Sequence, residues 1–332
     1  MNIRNPRELK NFAAQRLEQT GNEKHIVLIY AALALGLSAL VTLTNYVLGL
    51  QIGQSGGLGN LGNRTMLSAL QNTIPIAQSL VVMCLEVGYL STMLRIARGQ
   101  YASPQGLRLG FDRFWVLLRW NVIKVLLLTS VVFVSMYLGV LIFMMTPFSN
   151  RAVEILTPYL TDLSLLSGTL ELADGVYMEF AAAVVPAYVI CGILACVLGL
   201  PMLYSYRMVE YVLIDKPAMG AMAALRESKK MMRGRRLQLA KLDVSLWWYY
   251  GAALAAYVVC YGDVILPMLG LELPVHGDVS YFIFFGVYLA VMFAVYYFLR
   301  NRVDVSYGLF YDSIRPEEKK DNGVVLGNIF NL

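Results

Sequence analysis

Charged residues, histidine and cysteine are all scarce in this chain of 332 residues. Only 15% of the residues are charged, whereas 58% are hydrophobic; soluble domains carry about 25% charged residues. The two histidines lie far apart in the sequence, and the four cysteines lie within apolar runs without the paired spacing of a metal or redox site. The sequence therefore predicts no metal and no cofactor, and its apolar surplus is too large for one or two soluble domains.

Catalytic signatures are missing as well. The chain has no H-E-x-x-H or G-x-S-x-G motif, no nucleophile recognisable beside a base and no paired-carboxylate pattern. We therefore expect a non-enzymatic protein with no catalytic residue. A net charge of +5 would suit a nucleic acid, but the basic residues border apolar runs, where membrane retention and anionic lipid explain them. No nucleic-acid partner is expected.

Long apolar runs make up most of the chain. A helix of about 20 mostly apolar residues crosses the hydrocarbon core of a bilayer, and six runs reach that length. The predicted spans cover 25–50, 66–94, 115–148, 180–204, 242–266 and 281–299. The sequence thus predicts an all-α polytopic membrane protein with six transmembrane helices within 25–312. It also predicts a cytoplasmic amphipathic helix over 1–24 and a flexible cytoplasmic tail over 313–332.

The lysines and arginines indicate the orientation of these spans. All but two of the 27, Arg64 and Arg151, fall in alternate segments that flank the predicted spans. The segment from Arg95 to Lys124 includes the first ten residues of the third span, and the last basic segment begins at Arg300. Lys and Arg near the ends of spans are retained in the cytoplasm. Both termini and both basic loops are therefore expected on the cytoplasmic side.

The loop after the fourth span contains the strongest local pattern. Between Ala218 and Arg233, apolar residues recur at three- and four-residue steps, and Gly234 is a natural helix stop. Such a helix can lie in the headgroup plane with its apolar side in the membrane, while its cations attract anionic lipid; alternatively, the cations only hold the loop inside. The predicted lipid or partner surface consists of Arg226, Lys229, Lys230, Arg233, Arg235 and Arg236.

The second predicted span carries a polar face. Ionisable groups in lipid cost at least about 2.5 kcal/mol at mid-span, so they indicate a bundle interior or a functional path. Asn72, Ser79 and Glu86 are seven residues apart and share one face, which we expect to look inward, with Gln78 beside it. Lys124 can reach a similar depth and is the partner predicted for Glu86. The pair could be structural, Glu86 could instead be protonated, or the face could line a binding or conduction path.

Short motifs are distributed along most of the chain. The first half contains R-E-L-K at 7–10, G-Y-L at 88–90 leading to I-A-R-G at 96–99, and L-R-L-G-F at 107–111. The second half contains G-L-P at 199–201 leading to Y-R-M at 206–208, D-K-P at 215–217, A-A-L-R-E-S at 223–228 and M-M-R-G at 231–234. Over 1–312, these motifs resemble the bacterial integral membrane family catalogued as domain of unknown function 975. The resemblance implies a multi-span helical fold in a bacterial plasma (inner) membrane, and it brings no activity.

Two functions remain in competition. The sequence favours a non-enzymatic accessory or scaffold protein of the plasma membrane, which binds membrane lipids or a protein partner through its cytoplasmic face. The alternative is a transporter or channel-like protein for a small or lipid-like molecule, with Asn72, Ser79 and Glu86 lining its path. Glu86→Gln should abolish flux through such a path, whereas reversing charges on the basic loop should chiefly affect lipid or partner association.

Overall fold

A computed structural model describes residues 6–21, 23–54, 61–160, 174–268 and 278–315. The structure is 91% helical, and the described residues contain no strand, which confirms the predicted all-α class. In chain order the α-helices are α1 (Pro6–Thr20), α2 (Glu23–Gln54), α3 (Leu61–Ala97), α4 (Leu109–Asp112), α5 (Phe114–Met144), α6 (Pro147–Leu160), α7 (Asp174–Tyr206), α8 (Val209–Asp215), α9 (Ala221–Met231), α10 (Arg236–Ser245), α11 (Trp247–Cys260), α12 (Gly262–Met268), α13 (Asp278–Val295) and α14 (Asn301–Ile314). A 3-10 turn over Pro104–Arg108 precedes α4, and a π-helical turn over Tyr296–Arg300 joins α13 to α14.

Among the residues that the structure describes, five helical stretches are long and apolar enough to cross a membrane. They are Glu23–Gly53, Asn63–Ala97, Phe114–Met144, Ala182–Asp215 and Asp278–Ile314. Each stretch overlaps one predicted span, and only the fifth predicted span, 242–266, has no counterpart among them. The region of that fifth span contains α10, α11 and α12, which are separated at Leu246 and Tyr261. Each of the three is shorter than the about 20 residues that a single spanning helix needs.

The chain divides into two compact units, Met1–Leu118 with Met208–Leu332, and Arg119–Arg207. In the first unit, the core lies where α2 begins, α3 ends and α13 leads into α14. Nearly every residue of α3 from Cys84 to Ala97 is buried, and so is most of α14. Helix α1 packs against both through Leu9, Ala13 and Leu17, because four-residue spacing places them on one face.

Glycines let the segment around α4 lie directly on α3. A Cβ atom at Gly88 would overlap the backbone carbonyl of Leu107, and one at Gly110 would overlap the carbonyl of Cys84. No other residue type allows the two backbones to approach so closely. The L-R-L-G-F motif is therefore part of the packed end of α3.

The second unit contains most of α5 together with α6 and α7. Its core is formed by Phe143, Ala152 and Ala183, one from each helix. Gly139 of α5 lies against Cys191 of α7, again at a distance that leaves no room for a Cβ atom. Within this unit α6 packs against α7, and Phe143 brings the end of α5 into the same core.

Candidate functional site

A buried arginine lies at the centre of the first unit. Arg300, the last residue of the π-helical turn, has a side chain only 9% exposed. Its Nη2 donates to Oε1 of Glu86 on α3 at 3.0 Å, and its Nε donates to Oδ2 of Asp304 on α14 at 3.2 Å. A guanidinium removed from water needs such partners, because an unpaired buried charge is strongly destabilising. These bonds tie the end of α3 to the start of α14.

Three tyrosine rings surround the same guanidinium. Its central carbon lies 4.7 Å from the ring centroid of Tyr30, 4.8 Å from that of Tyr296 and 5.1 Å from that of Tyr89. All three distances fall within the about 6 Å range of cation–π attraction. Tyr30 and Tyr89 also stack on each other with centroids 4.5 Å apart. One ring comes from α2, one from α3 and one from the π-helical turn.

We call these six residues the Arg300 cluster: Tyr30, Glu86, Tyr89, Tyr296, Arg300 and Asp304. Glu86, with Tyr89 beside its face, is evident from the sequence, but their contact with Arg300 is not, because Arg300 resembles an ordinary cation at the end of the last predicted span. A usable signal was present in Tyr296, Arg300 and Asp304, whose four-residue spacing places them on one helix face. The π-helical turn over this signal is of a kind that occurs frequently at functional sites.

The predicted polar face of α3 divides into residues that contact α2 or the π-helical turn and residues that remain exposed. Glu86 belongs to the Arg300 cluster, although its side chain is 47% exposed. Gln78 donates to the hydroxyl of Ser38 on α2 at 2.9 Å. Asn72 and Ser79 are exposed, and the hydroxyl of Ser79 donates to a carbonyl of its own helix. The inward orientation predicted for the whole face is therefore wrong for Asn72 and Ser79.

The structure also gives Glu86 a partner that the sequence did not name. Lys124 was predicted, yet the carboxylate is bound by Arg300. Lys124 lies on α5 in the second unit, so its pairing with Glu86 stays a prediction. The chain separation explains the miss, because Arg300 follows Glu86 by 214 residues and no local pattern connects them.

Asp215 is the centre of a second charge cluster, at the C-terminal ends of α3, α8 and α14. Its side chain is 7% exposed and binds Arg98 and Arg315, each at 2.9 Å, and the hydroxyl of Tyr311 at 3.1 Å. Arg98 also binds both carboxylate oxygens of Asp312. Burial alone lowers the pKa of Arg98, but the hydrogen bonds and charges of Asp312 and Asp215 outweigh burial and raise it, so Arg98 stays charged. We call these five residues the Asp215 cluster.

A chain of hydroxyl groups fixes α14 to the helices that precede α13. The hydroxyl oxygens of Tyr250 on α11 and Tyr307 on α14 are hydrogen-bonded at 2.5 Å, and Tyr307 donates in turn to the carboxylate of Asp243 on α10. Lys10 of α1 donates to the backbone carbonyl of Ser245 at 3.1 Å. The C-terminal end of α10 is thus held from two sides.

The predicted lipid or partner surface is exposed to solvent. Arg226, Lys229, Lys230, Arg233 and Arg235 are exposed and Arg236 is partly exposed; we call these six residues the basic surface. The helix beneath them, α9, begins at Ala221 rather than Ala218, and Gly234 follows it with a φ of 78°.

The apolar side of α9 is buried only in part. Ala221, Ala224, Ser228 and Met231 are buried, as is Met232 just beyond the helix. The small side chains on this side allow α9 to pack against α8. Of the residues predicted to form the apolar side, Ala221 and Met232 belong to the protein core, whereas Ala218 and Met222 are exposed. Contact of this side with the membrane is therefore wrong for the two buried residues and stays a prediction for the exposed ones.

A small cavity of about 10 Å³ lies between α3, α4 and α8, with room for about one water molecule. It is apolar except for Arg113, which donates to the carbonyl of Leu213. Burial lowers the pKa of Arg113, and the charge of Asp112 offsets this only in part.

Among the described residues, no group of three His, Cys, Asp or Glu side chains could hold a metal ion.

The described parts of the chain contain no strand, include five helices apolar enough to cross a membrane and pair charged residues from distant helices. These features are typical of a polytopic membrane protein. Residues 1–318 match the family described as Protein of unknown function (DUF975), and the chain belongs to that family. This confirms the resemblance seen in the short motifs. Comparison with curated proteins and with solved structures gave no match.

Proposed function

We propose that this protein is a non-enzymatic accessory or scaffold protein of the bacterial plasma membrane, which binds lipid or a protein partner through its cytoplasmic face. The observation that carries the proposal is how the charges are distributed. Arg300, Arg98 and Asp215 bind partners inside the fold, whereas the cations of the basic surface are exposed. A rigid core that presents exposed cations suits attachment to other molecules.

The proposal includes six spans with both termini in the cytoplasm. Helices α11 and α12 together run from Trp247 to Met268, and at 1.5 Å per residue they extend about 33 Å, enough to cross a bilayer with a bend. The placement of all but two of the lysines and arginines in alternate segments supports the orientation. Reporter fusions at both termini and within 269–277 test this topology. A terminus outside the cytoplasm, or 269–277 inside it, would contradict it.

Site-specific photocrosslinking tests the accessory role. A photoreactive amino acid replaces the exposed Lys229 on the basic surface, and in a matched variant it replaces the exposed Met66 near the start of α3. Both variants are irradiated in the native membrane and purified whole. We expect a discrete lipid or protein adduct from position 229. Position 66 should not give the same product. Identical products from both positions would overturn the role proposed for the basic surface.

A transporter remains the second candidate, because Glu86 is a half-exposed carboxylate within an apolar helix, bound on one side to Arg300. Metabolite profiles of cells that lack the protein test this alternative. If wild-type protein and a variant reversed at Lys229 and Arg233 both restore the profile while Glu86→Gln does not, the transporter is favoured. If Glu86→Gln restores it and the charge-reversed variant does not, the accessory role is favoured.

A further inference from the structure

We propose that the basic surface, together with the exposed side of α10, binds the anionic phosphate-bearing headgroups of lipids in the adjoining membrane leaflet. This inference rests on the proposed function and names the partner of the same surface. It depends on three observations, which concern charge, exposed apolar residues and the position of α10 in the chain.

The first observation is that the exposed charges between 226 and 241 are all positive. Lys241 on α10 is exposed in addition to the basic surface. The stretch also contains the acidic residue Glu227, and Asp243 follows it. However, the carboxylate of Glu227 binds Lys216 at 2.9 Å, and that of Asp243 accepts a hydrogen bond from Tyr307. Both negative charges are thus engaged inside the fold, which leaves a cationic exterior suited to an anionic partner.

The second observation is that α10 exposes large apolar side chains among these cations. Leu237 is 78% exposed, Val244 is 73% exposed, and Trp247 at the start of α11 is 71% exposed. Leu237, Lys241 and Val244 lie on one helix face because they are four and seven residues apart. The aliphatic stem of Lys241 can lie along this apolar surface while its ammonium group reaches the phosphates. A nucleic acid would leave Leu237 and Val244 in water, whereas a bilayer surface would bury them.

The third observation is that α10 lies where the chain enters an apolar helix. Only Leu246 separates α10 from α11, and α11 begins with two tryptophans, residues enriched at the membrane–water interface. The bond from Lys10 to Ser245 and the bond from Tyr307 to Asp243 fix the end of α10. Because α10 is held at this boundary, its cations face the headgroup layer without a further folding step.

Native mass spectrometry of the full chain tests the proposal. The protein is reconstituted with phosphatidylcholine and phosphatidylglycerol and then released, and the lipids that remain bound are counted. Wild-type protein should retain phosphatidylglycerol in preference to phosphatidylcholine. Reversing Lys229 and Arg233 to glutamate should reduce that preference about 30-fold, since each cation near an anionic leaflet contributes about 1 kcal/mol, or about fivefold. Reversal of Lys24 and Arg108, which are also exposed but lie outside the basic surface, gives the same change in net charge and should reduce the preference by less.

A second measurement tests the proposal even if a charge-reversed variant fails to fold. A photoreactive residue at Leu237 of the otherwise unaltered chain should form an adduct with phosphatidylglycerol. Adducts with protein or RNA alone, or equal loss of lipid preference in both reversed variants, would overturn the lipid site. If Leu237 crosslinks only to one protein, the lipid site fails while the accessory role stands; if neither lipid nor protein is bound selectively, both fail.

Discussion

Arg300 and Glu86 are 214 residues apart in the chain, yet they form an ion pair in which Nη2 of Arg300 lies 3.0 Å from Oε1 of Glu86. Buried ion pairs contribute little net stability, because desolvation offsets their attraction. Their geometry is specific, however, and here a single arginine also contacts three tyrosine rings from three elements. The pair therefore fixes which face of the π-helical turn contacts α3, and this contact determines how α14 packs in the core.

The first prediction concerns the loss of this arginine. Arg300→Gln should destabilise the protein by about 3 kcal/mol or more, because Glu86 and Asp304 would both lose their ion pair with this buried cation. Arg300→Lys keeps the charge but loses the planar group that stacks on tyrosine rings, so it should recover only part of the stability. The measurement is thermal unfolding of the detergent-solubilised chain, followed by fluorescence-detected gel filtration.

Glu86→Gln is the matched control for that series. Glu86 is half exposed, and Asp304 still pairs with Arg300 in its absence, so this change should cost about 1 kcal/mol or less. A larger loss for Glu86→Gln than for Arg300→Gln would contradict the central position assigned to Arg300.

Much of the helical layout follows from the sequence alone. Apolar runs are a one-dimensional signal, and five long helices lie where such runs occur. The region of the fifth predicted span behaved differently, because the chain turns at Leu246 and again at Tyr261. No proline or glycine lies beside Leu246, so no local breaker indicated the first turn, whereas Gly262 directly follows the second. Packing of α13 against α11 and α12 accompanies them, and such contacts are invisible in a hydropathy pattern.

The candidate sites follow from the sequence only in part. Exposure of the cations on the basic surface was predictable, because charged side chains on a helix remain in water unless they find partners. The Arg300 and Asp215 clusters were not, because each joins residues from distant parts of the chain. Arg98 and Asp215 lie in two of the short motifs that resemble the family, but the motifs do not indicate that these two residues contact each other. Only the fold brings them within 2.9 Å.

The second prediction compares the same substitution at two tyrosines. The hydroxyl of Tyr89 is buried and has no hydrogen-bond partner among the described residues, so Tyr89→Phe should leave stability unchanged or slightly raised. The hydroxyl of Tyr311 donates to Asp215, so Tyr311→Phe should cost about 1.5 kcal/mol or more. Both variants keep the aromatic ring. Equal effects on the unfolding temperature would contradict the hydrogen-bond assignment.

The third prediction concerns the close contact between α3 and the segment around α4. Gly88→Ala and Gly110→Ala each place a Cβ atom on a backbone carbonyl, which a side-chain rotation cannot relieve. Each should therefore separate the two elements and lower the amount of folded protein in the membrane several-fold. Gly36→Ala is the control, because a Cβ atom there meets nothing within 4 Å and alanine favours the helix. Normal accumulation of Gly88→Ala would contradict the packing described.

The fourth prediction tests whether Arg98 and Asp215 act together. Asp215 has a side chain only 7% exposed and binds two arginines, so Asp215→Asn should be strongly destabilising, and so should Arg98→Gln. Because the two side chains share one ion pair, the double variant should lose less stability than the two single losses added, with a coupling of about 1 kcal/mol or more. The exposed pair of Arg151 and Glu179 in the second unit, at 3.2 Å, should show no measurable coupling in the same cycle. Additive losses at Arg98 and Asp215 would mean that the ion pair does not hold α3 and α8 together.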